Sequence, residues 1–370
     1  MQVNLKEIPK MLLLAYVAEA QNLWMWGKPG IGKTDTVEEF AAKMRERVED
    51  FMLWYFYGPT MSPIDIQGTM MAANSDVMKV CNNETLPNAY THPNARGAIF
   101  FGEAGNTDNA TLKQLQKYIN GEDMNGKLRK PKGVMVIADS NRLQDKAGVI
   151  QQFRALMNRF IQVDVYTEPE DNIEYADRKG WHPTVQHFFK YHPDMIDNYN
   201  EIFEGEIIGG KKKSDKEIAL ASEEGKRGVW ACMRGWKRIH HIEYACEELK
   251  SELPTPVILG SVGTGVGQHY LANRNAMVRL LSVDQICADP KNAKIPASVS
   301  EMFGQCLVLA LRCTEKQFPA VHAYGARLPY DMQALILRRA VKRPQFNIIN
   351  TKTYITWMSD PQLSDLLIAK

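Results

Sequence analysis

Short apolar runs alternate along the first part of the chain with segments whose apolar residues recur every three or four positions. Five runs rich in Val, Ile, Phe and Trp are typical of buried strands: 22–27, 51–57, 98–101, 133–139 and 160–166. The segments between them, most clearly 33–50 and 108–123, have the period of amphipathic helices. Buried strands separated by helices indicate a parallel sheet covered on both faces, so we predict an α/β domain with a five-stranded sheet over residues 1–167.

The pattern changes after this domain, because strand-like runs give way to helical periodicity. We predict a helical connection with an exposed loop over residues 168–226, where Gly-Gly and three consecutive lysines interrupt the apolar pattern. An α-helical lid and C-terminal helical region then cover residues 227–370, and the helix at 227–253 has one apolar face expected to pack in a core. The GxGxG motif at 263–267 has no downstream acidic partner, so we interpret it as a turn between two helices rather than a dinucleotide site.

The composition and net charge of the chain exclude few classes of function. The chain has 45 Lys and Arg residues against 43 Asp and Glu residues, a net charge of +2 that neither requires nor excludes a nucleic-acid partner. The N-terminal apolar run is too short to span a membrane and lacks a cleavage site, so we expect a cytoplasmic protein. The six cysteines are scattered without zinc-ligand spacing and are expected to be reduced and buried.

A phosphate-binding loop is the strongest chemical signal in the sequence. The pattern Gly27-x-x-x-x-Gly32-Lys33-Thr34 lies directly after a predicted strand and directly before a predicted helix. Such glycines let the backbone approach a triphosphate, the lysine reaches the β- and γ-phosphates, and the threonine hydroxyl holds Mg²⁺. We therefore predict an ATP site formed by Gly27, Lys28, Pro29, Gly30, Ile31, Gly32, Lys33, Thr34 and Asp35.

Polar residues near the later predicted strands could complete a hydrolytic site, which needs a base for the attacking water and positive charge near the γ-phosphate. Glu103 follows the third strand, at the edge where open α/β sheets bind ligands, and is the candidate base. Asn141 follows the fourth strand, while Arg154 and Arg159 precede the fifth. Each alone also fits an ordinary role, as a polar strand end, a turn-forming amide or a surface ion-pair partner. Their order after a phosphate loop favours the catalytic interpretation.

With these residues in place, the chain resembles AAA+ ATPases and, among them, the MoxR-type branch, over nearly its whole length. The Walker A, Walker B and sensor-1 motifs are matched by "GKPGIGKT", "AIFFGEAGN" and "VIADSNR". The loop after strand two, the arginine-finger segment and the lid helix are matched by "SPIDIQG", "ALMNRFIQVDV" and "MRGWKRI". The segment from Arg159 to Ile196 is similar to bacterial and phage-encoded MoxR-like proteins.

The resemblance implies roles for four residues and an assembly. Asn141 would be sensor 1, and Arg234 would be the sensor-2 arginine of the lid. Arg159 would be the arginine finger that enters the site of a neighbouring subunit, with Arg154 as the less favoured choice. A finger acting in trans requires neighbours placed head to tail, so the resemblance implies a ring, usually hexameric. MoxR-like proteins are commonly paired with a von Willebrand A-type protein, which would here be a separate polypeptide.

The sequence departs from the family pattern at two positions. Walker B normally ends Asp-Glu, the Asp holding Mg²⁺ through water, whereas this chain has Gly102-Glu103. The lid signature begins with Met233 instead of proline. Without the Asp, metal affinity should fall, although Thr34 and the phosphates still supply ligands. We hypothesise that Asp139, at the end of the next strand, replaces it.

Three functions remain open on the sequence alone. The leading one is an ATP-hydrolysing ring that remodels or chaperones a protein partner. The second is a nucleotide-binding ring with slow or no turnover, in which ATP stabilises assembly. The third is a nucleic-acid motor or loader, for which the basic residues at 125–133 could line a pore, although a solvated hairpin also accounts for them.

Overall fold

The computed structural model describes residues 2–81, 83–120, 129–145, 148–149, 152–204, 223, 225–342 and 347–368. The chain divides into two compact units, Met1–Glu168 and Pro169–Lys370. The Gly-Gly and three-lysine stretch of the predicted exposed loop and the basic residues 125–128 lie outside the described residues.

The first unit is built on a parallel sheet. Its described residues contain eight strands: β1 Gln2–Asn4, β2 Leu23–Gly27, β3 Phe51–Tyr57, β4 Thr69–Ala72, β5 Met78–Cys81, β6 Arg96–Gly102, β7 Val134–Ser140 and β8 Ile161–Tyr166. Six of them form one sheet in the order β1-β8-β2-β7-β6-β3, and every pairing in it is parallel. The phosphate-loop strand β2 therefore lies inside the sheet, between β7 and β8.

The five predicted strands are confirmed, but the sheet has six strands rather than five. The additional strand, β1, pairs with β8 at the sheet edge. It has only three residues and is therefore too short to produce a recognisable apolar run. The antiparallel hairpin of β4 and β5 was also missed. All four residues of β4 are exposed, so the hairpin has no buried face to mark it in the sequence.

Helices cover both faces of the sheet. On one face, Ile8–Val17 and Lys33–Arg45 pack against residues such as Met25, Phe100 and Ile137. On the other, a second core joins Trp24, Ile99 and Phe101 to helices that contribute Ile66, Leu112, Leu115 and Leu156. The helices of this second layer are Pro63–Gln67, Asn109–Asn120 and Arg154–Met157. The predicted α/β class, with its helical C-terminal region, is confirmed.

The second unit is helical throughout its described residues. Its helices are Pro169–Arg178, Pro183–Tyr191, Met233–Leu249, Thr255–Val262, Thr264–Val278, Val283–Ala288, Val299–Arg312, Phe318–Gly325, Tyr330–Ala340, Lys352–Met358 and Pro361–Ile368. They enclose two hydrophobic cores, one around Trp236 and Tyr270 and one around Phe318 and Leu337. The first glycine of the GxGxG motif, Gly263, does separate two helices, with a φ of 87° between Thr255–Val262 and Thr264–Val278, whereas Gly265 and Gly267 lie within the second helix.

None of the helices in the described part of the chain combines the length and hydropathy that crossing a membrane would require. All six cysteines lie within that part and none forms a disulfide. Four are buried, whereas Cys81 and Cys287 are only half-buried.

Candidate functional site

The phosphate-binding loop connects the end of β2 to the helix Lys33–Arg45. Gly30 and Gly32 have φ values of 82° and 100°, in the left-handed region that glycine adopts at little cost. A side chain at Gly27 would place its Cβ 2.9 Å from the carbonyl oxygen of Val165, so glycine is needed for this close approach. The loop therefore wraps around the N-terminus of a helix, where backbone N–H groups and the helix dipole favour an anion.

Lys33 lies buried at the centre of this loop. Its ammonium donates hydrogen bonds to the carbonyl oxygens of Gly27, at 2.9 Å, and Lys28, at 3.0 Å. The same nitrogen is 3.9 Å from Oδ2 of Asp139. Thr34 and Asp35 follow in the first helical turn and are half-buried. The charged end of Lys33 is thus oriented by backbone carbonyls beside a carboxylate of the neighbouring strand.

Asp139 joins the ends of two strands to the phosphate loop. It lies in β7 opposite Met25 of β2 and is only 6% exposed. Its Oδ1 accepts a hydrogen bond of 2.8 Å from the backbone N–H of Glu103, while Oδ2 faces Lys33. A buried carboxylate needs such compensation, because burial without hydrogen bonds or an opposite charge would be costly.

Glu103 directly follows β6, at the carboxyl edge of the sheet, and is half-buried. Its φ of 53° and ψ of 37° are left-handed, which costs a non-glycine residue roughly 1–2 kcal/mol. The hydroxyl of Tyr57 donates to Oε2 of this carboxylate at 3.1 Å, and the Asn106 amide donates to the same oxygen at 3.4 Å. The strained backbone and these two contacts hold the Glu103 carboxylate at the sheet edge.

Tyr55 also lies near this edge, beside Gly102. A Cβ at Gly102 would lie 2.8 Å from its hydroxyl oxygen and 3.3 Å from its Cζ. The pKa of Tyr55 is raised above its ordinary value, first by burial and then by the negative charges of Asp139 and Glu103. Tyr55 thus lies against the position where the family pattern has a carboxylate.

Asn141 follows β7 and is brought to the same carboxyl edge as Glu103. It is half-buried, and its carbonyl accepts a hydrogen bond of 2.8 Å from the hydroxyl of Ser140. The next residue, Arg142, is paired with Asp145 through its backbone and guanidinium. This turn fixes the backbone at Asn141, which is what a residue sensing the γ-phosphate would require.

The two finger candidates differ in their surroundings. The guanidinium of Arg159 donates to Oδ1 of Asn120 at 2.5 Å and to the carbonyl oxygen of Ala155. Arg154 is exposed at the start of the helix Arg154–Met157, and no hydrogen bond or ion pair of its guanidinium is found within the part of the chain that the structure describes. Arg159 is therefore engaged inside its own unit, whereas Arg154 is accessible.

Arg234 belongs to the second unit. It is exposed in the first turn of the helix Met233–Leu249, which begins after Cys232. Its role toward a nucleotide stays a prediction.

The donors at the sheet edge fit a nucleoside triphosphate with a divalent cation. The loop has the left-handed glycines and the close strand contact described above, and the buried ammonium of Lys33 donates to its carbonyl oxygens. The oxygen groups of Thr34, Asp139 and Glu103 are of the type that Mg²⁺ and its bound waters prefer. Residues far apart in the sequence, Lys33, Glu103 and Asp139, are thus assembled at one edge of the sheet.

Comparison with known proteins identifies the family. Residues 1–199 match the model of the MoxR domain in the MoxR-vWA-beta-propeller ternary systems. The chain belongs to this MoxR family. The resemblance to MoxR-type AAA+ proteins that the motifs indicated is confirmed by this match.

Solved structures similar to this MoxR chain are distant. A candidate ATPase from Cytophaga hutchinsonii is 18% identical with a TM-score of 0.34, and the match covers 47% of this chain and 50%, or half, of the other. A RuvB variant from Thermotoga maritima is 12% identical with a TM-score of 0.36, over 96% of this chain and 87% of the other. NtrX from Brucella abortus in complex with ADP is 13% identical with a TM-score of 0.32, over 67% and 65%. No curated protein matches the chain significantly.

Sequence reasoning missed the two tyrosines of β3 that lie at the site. Tyr55 and Tyr57 fall within an apolar run, "FMLWYFY", that predicts a buried strand and gives no sign of a polar role. Because they are two positions apart in a strand, both lie on the same face, and this spacing was a signal that the sequence offered. Only the pairing of β3 with β6 shows which residues they approach.

Proposed function

We propose that this MoxR chain binds ATP with Mg²⁺, hydrolyses ATP within a ring of identical subunits, and uses the cycle to remodel a protein partner. The observation that carries the proposal is the cluster of Lys33, Asp139 and Glu103 at the carboxyl edge of the sheet, beside a helix N-terminus. Membership of the MoxR family supports the same conclusion.

Each residue of the cluster has a chemically distinct role in this proposal. Lys33 binds the β- and γ-phosphates. When ATP binds, its ammonium donates to phosphate oxygens instead of to backbone carbonyl oxygens. Thr34 and Asp139 face the cation, which when bound neutralises phosphate charge. Glu103 orients and deprotonates the attacking water. Asn141 contacts the γ-phosphate. Two arginines, one from a neighbouring subunit and Arg234 from the lid, balance the negative charge of the transition state.

The partner class follows from the family. Its name refers to ternary systems of MoxR, vWA and beta-propeller components. We propose that this chain acts on such a system, with a von Willebrand A-type protein as its direct partner.

Nucleotide binding is tested with Lys33→Ala. Removing the ammonium should weaken binding of a fluorescent ATP analogue by 100-fold or more, about 2.7 kcal/mol, because the phosphates lose their buried counter-charge. Lys10→Ala, at an exposed lysine of the first helix, is the control. Unchanged affinity in Lys33→Ala would contradict the phosphate-loop assignment.

Hydrolysis is tested with Glu103→Gln, which preserves shape and removes the base. We expect ATP affinity to be retained while turnover falls by about 100-fold or more, since general-base catalysis contributes 10²–10⁴-fold. ATP should then remain bound, and size-exclusion chromatography should show the assembled ring. Persisting turnover would show that Glu103 is not the base.

A slow ATPase that serves as an assembly scaffold is the second candidate, and the glycine at position 102 favours it. Steady-state turnover with and without single-stranded DNA separates the possibilities. Robust ATP turnover that does not change when DNA is added supports the remodelling ATPase. Tight ATP binding without turnover supports the scaffold. Stimulation by DNA would indicate a nucleic-acid motor instead.

A further inference from the structure

The residue that faces Gly102 is Tyr55, and the sheet register explains why. Tyr57 of β3 pairs with Gly102 of β6, and Tyr55 pairs with Phe100. Residues two apart in a strand share a face, so Tyr55 extends along the face to which a side chain at position 102 would point. Its ring contacts Phe100 edge-on, with centroids 5.3 Å apart, and its hydroxyl reaches the space beside Gly102.

A side chain could enter that space only if the phenol of Tyr55, which is 51% exposed, moved aside. The 2.8 Å between the tyrosine hydroxyl and a Cβ at Gly102 is shorter than real side-chain contacts. The backbone of Gly102 is an ordinary strand and is not in the left-handed region, so its conformation alone would accept any residue. The group that a carboxylate at position 102 would have to displace is therefore the phenol of Tyr55.

The neighbouring strand already provides a carboxylate on this face. Phe101 pairs with Ala138, so Gly102 and Asp139 are the next neighbours along β6 and β7. Asp139 is buried, accepts from the Glu103 N–H and lies 3.9 Å from the Lys33 ammonium. A second carboxylate at position 102 would lie about 5 Å away on the same face and repel it. The neutral hydroxyl of Tyr55 avoids this repulsion.

We propose that Tyr55 is a positioning residue that decides which strand supplies the metal-side carboxylate. Its phenol occupies the space for a side chain at position 102 and leaves Asp139, one strand closer to the phosphate loop, as the acidic group facing the cation. This inference rests on the proposed function, because it concerns the cation that accompanies the nucleotide.

The test moves the carboxylate between the two strands. Binding of Mn²⁺ in the presence of ADP is measured from the electron paramagnetic resonance signal of free Mn²⁺. Asp139→Asn should weaken this binding by about tenfold or more, because a charged oxygen ligand is lost. Adding Gly102→Asp should restore nothing while Tyr55 is present. Adding Tyr55→Ala to that double variant should recover most of the lost affinity, whereas Tyr57→Ala, on the same face of β3, should not.

A second measurement needs neither metal nor nucleotide. Gly102→Ala should lower Tm by about 3 °C or more through overpacking, and should lower it clearly less in a Tyr55→Ala background. Tyr55→Phe, which removes only the closest atom and keeps the ring, should relieve part of the effect. Equal shifts in all three backgrounds would overturn the steric part of the proposal.

The outcomes separate this inference from the proposed function. If the parent protein binds no Mn²⁺ with ADP, the proposed function fails and the role of Tyr55 fails with it. If the parent binds Mn²⁺ but Gly102→Asp rescues Asp139→Asn with Tyr55 in place, only the role of Tyr55 is wrong. Failure of the Tyr55→Ala combination to recover affinity, with its Tm preserved, also refutes that role.

Discussion

Asp139 is the residue on which most of the candidate site depends. One oxygen of its carboxylate accepts the Glu103 N–H and the other faces the Lys33 ammonium, so a single side chain links β6, β7 and the phosphate loop. Glu103 itself has left-handed backbone angles, and the hydrogen bond to Asp139 helps to offset that strain. The position of the candidate base is thus set by backbone geometry and by a neighbouring carboxylate.

Tyr57 orients the Glu103 side chain through a hydrogen bond of 3.1 Å. Because this bond is exposed, we expect Tyr57→Phe to lower the turnover number for ATP by about two- to tenfold while leaving KM for ATP unchanged. Steady-state kinetics at saturating Mg²⁺ measure both constants. Tyr90→Phe, at an exposed tyrosine distant in sequence, is the matched control. A change confined to KM would show that Tyr57 contacts the nucleotide instead.

His240 makes the stability of the second unit dependent on pH. Its ring stacks on Trp181, and its Nδ1 accepts from the His182 N–H at 3.0 Å. Burial, followed by the positive charges of His241, His182 and Lys237, lowers the pKa of His240 to about 4. The unfolded chain therefore binds a proton that the folded chain excludes between about pH 6.5 and 4, so the free energy of unfolding decreases as pH falls through that window.

We expect His240→Gln to reduce this pH dependence. The uptake of one proton on unfolding changes the free energy of unfolding by at most about 1.4 kcal/mol per pH unit. Urea unfolding between pH 7 and 4.5 should show that the free energy of unfolding of the variant depends less steeply on pH than that of the parent. His92→Gln, at an exposed histidine that is not among the groups acting on His240, controls for the substitution itself. An identical slope in His240→Gln and the parent would contradict the assignment.

At the scale of elements, close packing of helices depends on single glycines. Gly235 lies in the first turns of the helix Met233–Leu249, and a Cβ there would come within 2.3 Å of the carbonyl oxygen of Ser261. Ser261 belongs to the helix Thr255–Val262, so the two helices meet backbone to backbone at this glycine. The contact places Trp236, the next residue, in the core of the unit.

Gly235→Ala should therefore destabilise the protein. Because the obstructing atom belongs to the backbone and cannot rotate away, we expect a cost of about 1–3 kcal/mol in chemical denaturation. Gly260→Ala is the matched control, since Gly260 lies in the facing helix with nothing within 4 Å of its Cβ position. That variant should be neutral or up to about 1 kcal/mol more stable. Equal effects of the two substitutions would show that the helices are not in close contact.

At the scale of the whole molecule, the α/β unit carries the phosphate loop and a second, helical unit carries Arg234. The proposed ring requires that one subunit supply an arginine to the next. Arg159 is bonded to Asn120 and Ala155 within its own unit, whereas Arg154 is exposed. This difference favours Arg154, the residue that the family resemblance favoured less, as the group available to a neighbour.

We expect Arg154→Ala to reduce turnover about 100-fold or more, since an arginine finger contributes 10³–10⁵-fold where it has been quantified. Arg159→Ala should mainly lower Tm, because its hydrogen bond to Asn120 is lost. Mixing Arg154→Ala with Lys33→Ala should restore part of the activity, since mixed interfaces combine an intact loop with an intact arginine. If Arg159→Ala abolishes turnover and complements Lys33→Ala instead, Arg159 is the finger.

Much of the fold was predictable because its signals are local. The five strands, the helix after the phosphate loop and the turn at Gly263 each follow from apolar period or glycine placement within a short window. The three-residue strand β1 and the exposed hairpin of β4 and β5 could not be predicted in this way. They bury too little surface to leave an apolar pattern, so only their pairing partners define them.

The sequence by itself determined that a parallel sheet presents Lys33, Glu103 and Asn141 at its carboxyl edge, because the ends of parallel strands meet there. Only the tertiary structure decided what surrounds them. The register of β3, β6 and β7 places Tyr55 against Gly102 and Asp139 beneath the Glu103 N–H, joining residues 36 positions apart in the chain. Such contacts depend on which strands become neighbours and in what alignment, and neither is encoded in any local stretch of residues.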